Sequence, residues 1–493
     1  MLRVVSCLTL VAAVAVVVGC TKSAPPQFKA NLFEMVQQET PADQQQAIAN
    51  ILEAMFGTPD EPFVLPESGL DLTKIKLAAG PVWSDQVGAQ RGLYRQHCVH
   101  CHGITGDGIG PTSEILNPYP RDYRPGKYKY KSTVRAAMPT DPDLERVLRQ
   151  GVMGTAMPSF NLLAPSEVDA LVEYVKYLSL RGQVESALIR AVAELGEGEK
   201  LPLDRATLVG SDDQPGVFLT EVIKWREAKE AIVDPPVRPE ITLAQSISTG
   251  RELFYGAKAN CVKCHGPTAL GDGVTNDYDD WQKPLFEAKK INDESLANMA
   301  ELKSEAQTAE AKAAKLESSL GFSLAEQGEP LSEADAKLLL EKCVAALPGS
   351  GLEETEIDEV KGEAEKQAPL PEVADTVVKL LAEKVRSARA EATQKTTAIA
   401  RVYEMDAVLK AQLPLRPILP RNLRLGIYRF GRRPLDLFRR IHEGINGVPM
   451  PGGSATPGFT PDEMWNVVDY VRSLPFESIN RVKPDPKIAV NAQ

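Results

Sequence analysis

Apolar residues recur at helical spacing in several separate stretches of this 493-residue chain. Val168, Leu171, Val172, Val175 and Leu178 form one stripe, behind Pro165 and an acidic first turn. Met464, Val467, Val468, Val471 and Leu474 form a second, behind Pro461. Proline at the first helical position and acid near the N-terminus mark helix starts, and three-four spacing marks one buried face. Shorter helices are expected from Ala42 to Phe56, from Val184 to Leu195, and around Gly92–Leu93–Tyr94 and Gly250–Leu253–Phe254. From Leu285 to Pro414 the pattern lengthens. Met299, Leu302, Ala306, Ala309, Ala313, Leu316 and Leu320 alternate steps of three and four, a coiled-coil seam. Val377, Leu381, Val385, Ala388, Ala392, Ile399 and Val402 share one face of a segment that would reach about 60 Å as a helix. Both ends of this block return to one loop, so an antiparallel helical hairpin is expected, with residues 331–366 at its tip and Cys343 as a buried small apolar residue. The fold class is mainly α.

Charge sharpens the division. The net charge is −11, and 285–414 holds 25 acidic against 16 basic residues, so most of the excess sits in that block. An acidic chain argues against nucleic acid as a partner. At the other end, Arg3 precedes an apolar run from Val4 to Val18. The run is shorter than the roughly 20 residues needed to span a bilayer and reads as a signal peptide over 1–19. Its end, VVVGCTKSAPP, resembles a bacterial lipobox, which implies cleavage before Cys20 and lipidation of its sulfur. An ordinary signal peptide and an uncleaved anchor are the alternatives, and all three export the chain. The expected location is membrane-anchored on the periplasmic, extracytoplasmic side.

Four of the remaining cysteines form two C-x-x-C pairs, each followed by histidine: Cys98-Val-His-Cys101-His102 and Cys261-Val-Lys-Cys264-His265. C-x-x-C-H is the attachment pattern for c-type haem. On one helical turn the two sulfurs share a face and reach the two vinyl groups of one porphyrin, while the histidine turns to the iron. A zinc site needs four ligands, and the five histidines of the chain do not supply them to both motifs. A redox dithiol belongs in a βαβ setting that the pattern lacks. His97 and His100 have no counterparts in the second motif and are expected at the surface.

The motif is part of a longer repeat. CVHCHGITGDG, PRDYRPGKYKY, DLERVLRQGVMGTAMPSF and APSEVDALVEYVKYLS recur in order as CVKCHGPTALGDG, PRNLRLGIYRF, DLFRRIHEGINGVPMPGG and TPDEMWNVVDYVRSLP. Among the methionines, Met157 and Met450 fall at matched positions, each before proline, whereas Met138, Met153, Met405 and Met464 have no such match. Each copy resembles the class I cytochrome c domain, and the whole resembles a dihaem c-type cytochrome. The resemblance implies two covalently attached haem c groups, with Cys98, Cys101, Cys261 and Cys264 as thioethers and His102, Met157, His265 and Met450 as iron ligands. It also implies that the last helix of each copy crosses the helix before C-x-x-C-H. For the basic block between, two readings stay open beside a solvated loop: Arg121 and Arg421, with Arg124, Arg424, Tyr128 and Tyr428 behind them, as haem propionate contacts, or the unmatched lysines as a docking patch for an acidic partner.

The expected organisation is a signal peptide (1–19), a lipid-anchored tether and N-terminal segment (20–87), a first cytochrome domain (88–182), a linker (183–245), a second domain split into 246–284 and 415–476, the helical insertion (285–414) and a tail (477–493). The resemblance implies electron transfer between membrane respiratory complexes, with a quinol-oxidising complex and a terminal oxidase as redox partners. Two other classes compete: a dihaem cytochrome c peroxidase-like enzyme, and an assembly protein acting through its insertion.

Overall fold

The computed structural model describes residues 24–84, 90–196, 198–273, 277–320 and 332–477. The expected signal peptide, Cys20 and the tail beyond 477 lie outside the described residues, as does residue 331. The described part is mainly helical, with one antiparallel two-stranded ribbon of Trp83–Ser84 and Gln90–Arg91. No helix among the described residues is long and apolar enough to cross a membrane. The chain forms two units: Met1–Pro284 with Gln412–Gln493, and Leu285–Ala411.

The first copy of the repeat is built on α1 (Leu32–Gln37), α2 (Ala42–Phe56), α3 (Leu72–Ala78), α4 (Leu93–His97), α5 (Val99–His102), α6 (Asp141–Gln150) and α7 (Pro165–Ala193). The sequence suggested a break near Leu180; α7 instead runs unbroken for 29 residues. Its one internal glycine, Gly182, sits where a Cβ would lie 2.4 Å from the Arg124 Cα, so it serves a close contact and not a bend. Leu180, Val184, Leu188 and Ile189 continue the apolar face past the repeat. They share one core with Ile48, Leu52 and Phe56 of α2, with Ile75 of α3, and with Phe218, Leu219 and Val222. The last three lie on α9 (Val217–Arg226), after the short α8 (Arg205–Leu208).

The helix before the first C-x-x-C-H also differs from expectation. Gly92 is not inside a helix but precedes α4 in the left-handed conformation, φ +72°, where a Cβ would lie 2.5 Å from the Pro81 carbonyl oxygen. The packing across α7 is supplied largely by α3, from the N-terminal segment. The second copy keeps a single helix there, α10 (Leu243–Tyr255), followed by α11 (Val262–His265).

The unit Leu285–Ala411 takes up most of α12 (Lys283–Ala297), then α13 (Met299–Leu320), α14 (Glu333–Ala346), α15 (Glu354–Ala364) and α16 (Leu370–Lys410). α13 and α16 pack antiparallel: Arg389 pairs with Glu310 and Glu317, while Lys395, further along α16, reaches back to Glu305 at 3.1 Å. Ala313, Leu316, Val377, Leu381 and the buried thiol of Cys343 fill the seam.

The second copy then closes with α17 (Pro434–Glu443) and α18 (Pro461–Ser473). α10 crosses α18 closely at Gly250, where a Cβ would lie 2.0 Å from the Asn466 carbonyl oxygen. A reciprocal capping box starts α18: Glu463 N–H donates to Thr460 Oγ1 at 3.3 Å and Thr460 N–H to Glu463 Oε2 at 2.9 Å.

Within their shared unit the two copies meet through matched positions. Tyr130 stacks on its own counterpart Phe430, with centroids 6.0 Å apart. A Cβ on Gly154 would touch Arg421 at 2.1 Å, and one on the equivalent Gly447 would come within 3.8 Å of Arg121. Such exchange, residue i to j and j to i, is the mark of a two-fold-like interface. Arg146 grips Asp436 through two bonds of 2.7 Å, with the Asp436 side chain 1% exposed.

Two outcomes follow from this packing. Gly250→Ala is expected to destabilise the protein by about 1–3 kcal/mol by forcing α10 from α18, whereas Gly362→Ala, in α15 with nothing within 4 Å, is expected to stabilise it by up to about 1 kcal/mol; thermal unfolding of both variants checks the opposed signs. Burial pushes the Asp436 carboxyl up, but Arg146 and Arg433 outweigh it and hold it at about 2. Its contribution is therefore complete above about pH 4 and lost as pH falls through about 2. Denaturant titrations at pH 5 and pH 2 are expected to differ less in Asp436→Asn than in wild type, by roughly 2 kcal/mol.

Candidate functional site

Each C-x-x-C-H segment closes one helical turn, with His102 N–H bonded to the Cys98 carbonyl and His265 N–H to the Cys261 carbonyl, both at 2.9 Å. The turn ends at a glycine in each copy, Gly103 at φ +72° and Gly266 at φ +78°. Gly108 N–H then returns to the His102 carbonyl and Gly271 N–H to the His265 carbonyl, both at 3.0 Å. These bonds make Gly108 and Gly271 equivalent, so the two GDG tripeptides are out of register. Ala269, at φ +60°, stands where the first copy has Gly106 at φ +75°.

The histidines are oriented alike. Nδ1 of His102 lies 3.0 Å from the Arg121 carbonyl oxygen, and Nδ1 of His265 lies 3.3 Å from the Arg421 carbonyl oxygen. A carbonyl only accepts, so Nδ1 carries the proton and Nε2 is left with its lone pair, the form that binds a metal. Burial lowers both imidazole pKa values, to about 4 for His102, which keeps that ring neutral at physiological pH.

The methionine loops also match. Val152 N–H donates to the Met157 carbonyl at 3.1 Å, and Ile445 N–H to the Met450 carbonyl at 3.2 Å. Gly151 and Gly444 open these loops, at φ +63° and φ +71°, each pressed against the carbonyl of its methionine.

In the first copy these groups line one cavity. Cys98, Cys101, His102 and Met157 face it together with Leu144, Leu148 and Val175 among its apolar walls. Arg121 lines it too, and its Nη1 is buried without a hydrogen-bond partner. An unmet buried donor costs about 1–3 kcal/mol, so the cavity suits an apolar group that carries an anionic edge. Haem c fits this description: two thiols for its vinyls, a neutral imidazole and a thioether for its iron, and a guanidinium for its carboxylates. Bound there, it supplies one-electron redox chemistry. The described cysteines are all free, and burial raises the Cys98 and Cys261 thiols to about 12. Redox dithiols have lowered values, the opposite direction.

Other candidate residues fall elsewhere. Met138 is buried, with its sulfur 3.9 Å from Gln183 Nε2, and Met153 is exposed. Arg124 is engaged by Asp122, and Arg424 by the carbonyls of Thr268 and Glu477. The Tyr128 and Tyr428 hydroxyls are tied to Ser179 and to the Val471 carbonyl. Arg421 bonds the Ile427 carbonyl at 3.1 Å and reaches toward Gly154 of the first copy. The second site is the more open one, with Cys264 exposed and His265 half-buried.

Three side chains depart from the sequence reading. His97, expected at the surface, lines the cavity with Nε2 buried and unpartnered. Lys129 and Lys131 do not form an outward patch. Lys129 bonds Asp279 of the second copy at 2.8 Å and lies over Trp281, and burial lowers its amine to about 7. Lys131 turns inward to the Arg135 carbonyl at 2.9 Å. Nothing in the repeat signalled Trp281, over which Arg121 also sits at 4.1 Å, and Arg429, one of the arginines of the second basic block, enters the first copy's cavity from the second.

Arg135 of the first copy donates to the Met450 carbonyl at 2.7 Å and to the Val448 carbonyl at 3.0 Å. Hydrogen bonds from charged groups are worth about 1.5–3 kcal/mol each. Arg135→Ala is therefore expected to speed amide exchange over 445–451 by roughly tenfold or more while leaving 152–158 unchanged, as hydrogen-exchange mass spectrometry will register.

The comparisons with known proteins bear on the first copy. No curated protein matches the chain. Among solved structures, a chain of the Kuenenia stuttgartiensis reducing HAO-like protein complex Kustc0457/Kustc0458 aligns at 17% identity over 78% of this chain and 94% of that chain, with a TM-score of 0.37, a likeness too slight to carry an argument. The family model described as Cytochrome c matches residues 90–179. That stretch, which holds Cys98, Cys101, His102 and Met157, is similar to a cytochrome c domain, and the similarity implies covalently bound haem c and a role in electron transfer.

Proposed function

We propose that the chain is a dihaem electron carrier, with one haem c in each copy of the repeat. The observation that carries this reading is the matched bond from His102 to the Arg121 carbonyl and from His265 to the Arg421 carbonyl. A bare C-x-x-C-H has no need of it; a pair of histidines prepared as metal ligands does. The four cysteines would hold the two groups covalently, and Met157 and Met450 would supply the sixth ligands. A His/Met pair leaves no open coordination position and favours a high potential, which suits transfer over peroxide chemistry. Lipid at Cys20 would keep the two centres at the outer face of the cytoplasmic membrane, between a quinol-oxidising complex and a terminal oxidase. The unit Leu285–Ala411 would then dock the carrier to one of these complexes.

A pyridine haemochrome count with a redox titration tests the reading. Two c-type haems per chain are expected. Met157→His and Met450→His are each expected to lower one of the two potentials, since imidazole stabilises the ferric state more than thioether does. One haem or none, or brisk peroxide turnover after partial reduction, sinks the proposal.

A further inference from the structure

The cavity of the first copy is not closed by the first copy alone. Arg429 belongs to the second copy and stands in its PRNLRLGIYRF block, yet it lines this cavity beside Arg121, Lys129 and Tyr130. Its Nε is buried and has no hydrogen-bond partner, as is Arg121 Nη1 on the same lining. Lys129 is satisfied by Asp279. Two arginines of one lining therefore each bury a guanidinium nitrogen without an acceptor, and buried donors of this kind call for an anion.

The repeat explains why the demand is one-sided. Lys129 and Arg429 occupy equivalent positions, and each crosses into the other copy. Lys129 meets Asp279, which lies fourteen residues beyond His265. The residue at the same distance beyond His102 is Leu116, which lines the cavity. The second copy thus receives its visitor with a carboxylate of its own, and the first copy has none at that place.

We infer that Arg429 supplies, from the second copy, a binding contact to the carboxylates of the haem held by the first. This rests on the reading above that the first cavity holds haem c. Arginine suits the task, because its planar fork meets a carboxylate through two parallel bonds and stays charged. The first site is then complete only when the second copy is folded against it, and its reduction potential carries the charge of that neighbour.

A cation beside the cofactor favours the reduced, less positive state. Removing it with Arg429→Gln is expected to shift the first haem's reduction equilibrium about tenfold toward ferric, which is ~59 mV for a one-electron couple. Titrations in a Met450→His background separate the two haems. Arg432→Gln removes the same charge from an exposed neighbour and is expected to leave the first haem within about twofold of wild type. An unchanged first haem in Arg429→Gln, or an equal shift of both haems, overturns the contact. Should Arg429→Gln fail to accumulate, redox-difference infrared spectra of wild type and Arg429→Lys, with the haem carboxylates 13C-labelled, decide the matter. A carboxylate band that moves between them supports the contact, and identical spectra overturn it. Two haems by pyridine haemochrome with no shift refute this contact alone; fewer than two refute the dihaem reading on which it rests.

Discussion

The placement of one proton organises both sites. A backbone carbonyl, that of Arg121 or Arg421, accepts from Nδ1 of the adjacent histidine and so leaves Nε2 with a free lone pair. The same arginine does a second thing with its side chain. Arg121 lies over Trp281 in the second copy, and Arg421 reaches Gly154 in the methionine loop of the first. Main chain and side chain of a single residue therefore tie the orientation of one histidine to the surface of the other copy. Displacing either copy would move the carbonyl on which the partner copy's arrangement depends.

Much of this was legible in the sequence because it was written twice. The matched Met-Pro, the glycines after each histidine and the apolar spacing of the last helices all reflect backbone constraints that recur wherever the turn recurs. What was hidden lies between the copies. Lys129 and Lys131 read as solvent-facing because lysine usually is, and the acid that receives Lys129 is 150 residues away. Gly92 and Gly250 looked alike, yet one makes a left-handed turn and the other a helix crossing. The GDG tripeptides coincide as text and not as structure, since the bonds of Gly108 and Gly271 fix the true register. The continuity of α7 escaped because the repeat ends at Ser179, while the apolar face runs on through Leu188 and Gly182 admits the Arg124 backbone.

The interface between the copies is rich in charge, unlike the apolar cores on either side. Asp436 gains two arginines, Arg146 and Arg433, and Arg146 also lies over Phe430 at 4.4 Å. Buried pairs of this type add less to stability than their short distances suggest, but breaking one partner leaves a costly charge. They therefore set register more than strength. That fits a surface whose task is to hold the two copies in one relative placement.

The insertion leaves a kinetic signature. From histidine to methionine the first copy spans 55 residues and the second 185. By loop-closure entropy the longer span costs only about 1 kcal/mol more, and the bonds Ile418 N–H to Asp277 carbonyl and Arg416 N–H to Gln282 Oε1 rejoin its ends. The first copy's histidine and methionine can thus come together before the second copy's sequence is complete, whereas Arg429 arrives only with that copy. Until then the first cavity lacks Arg429, which only the second copy can contribute to its lining.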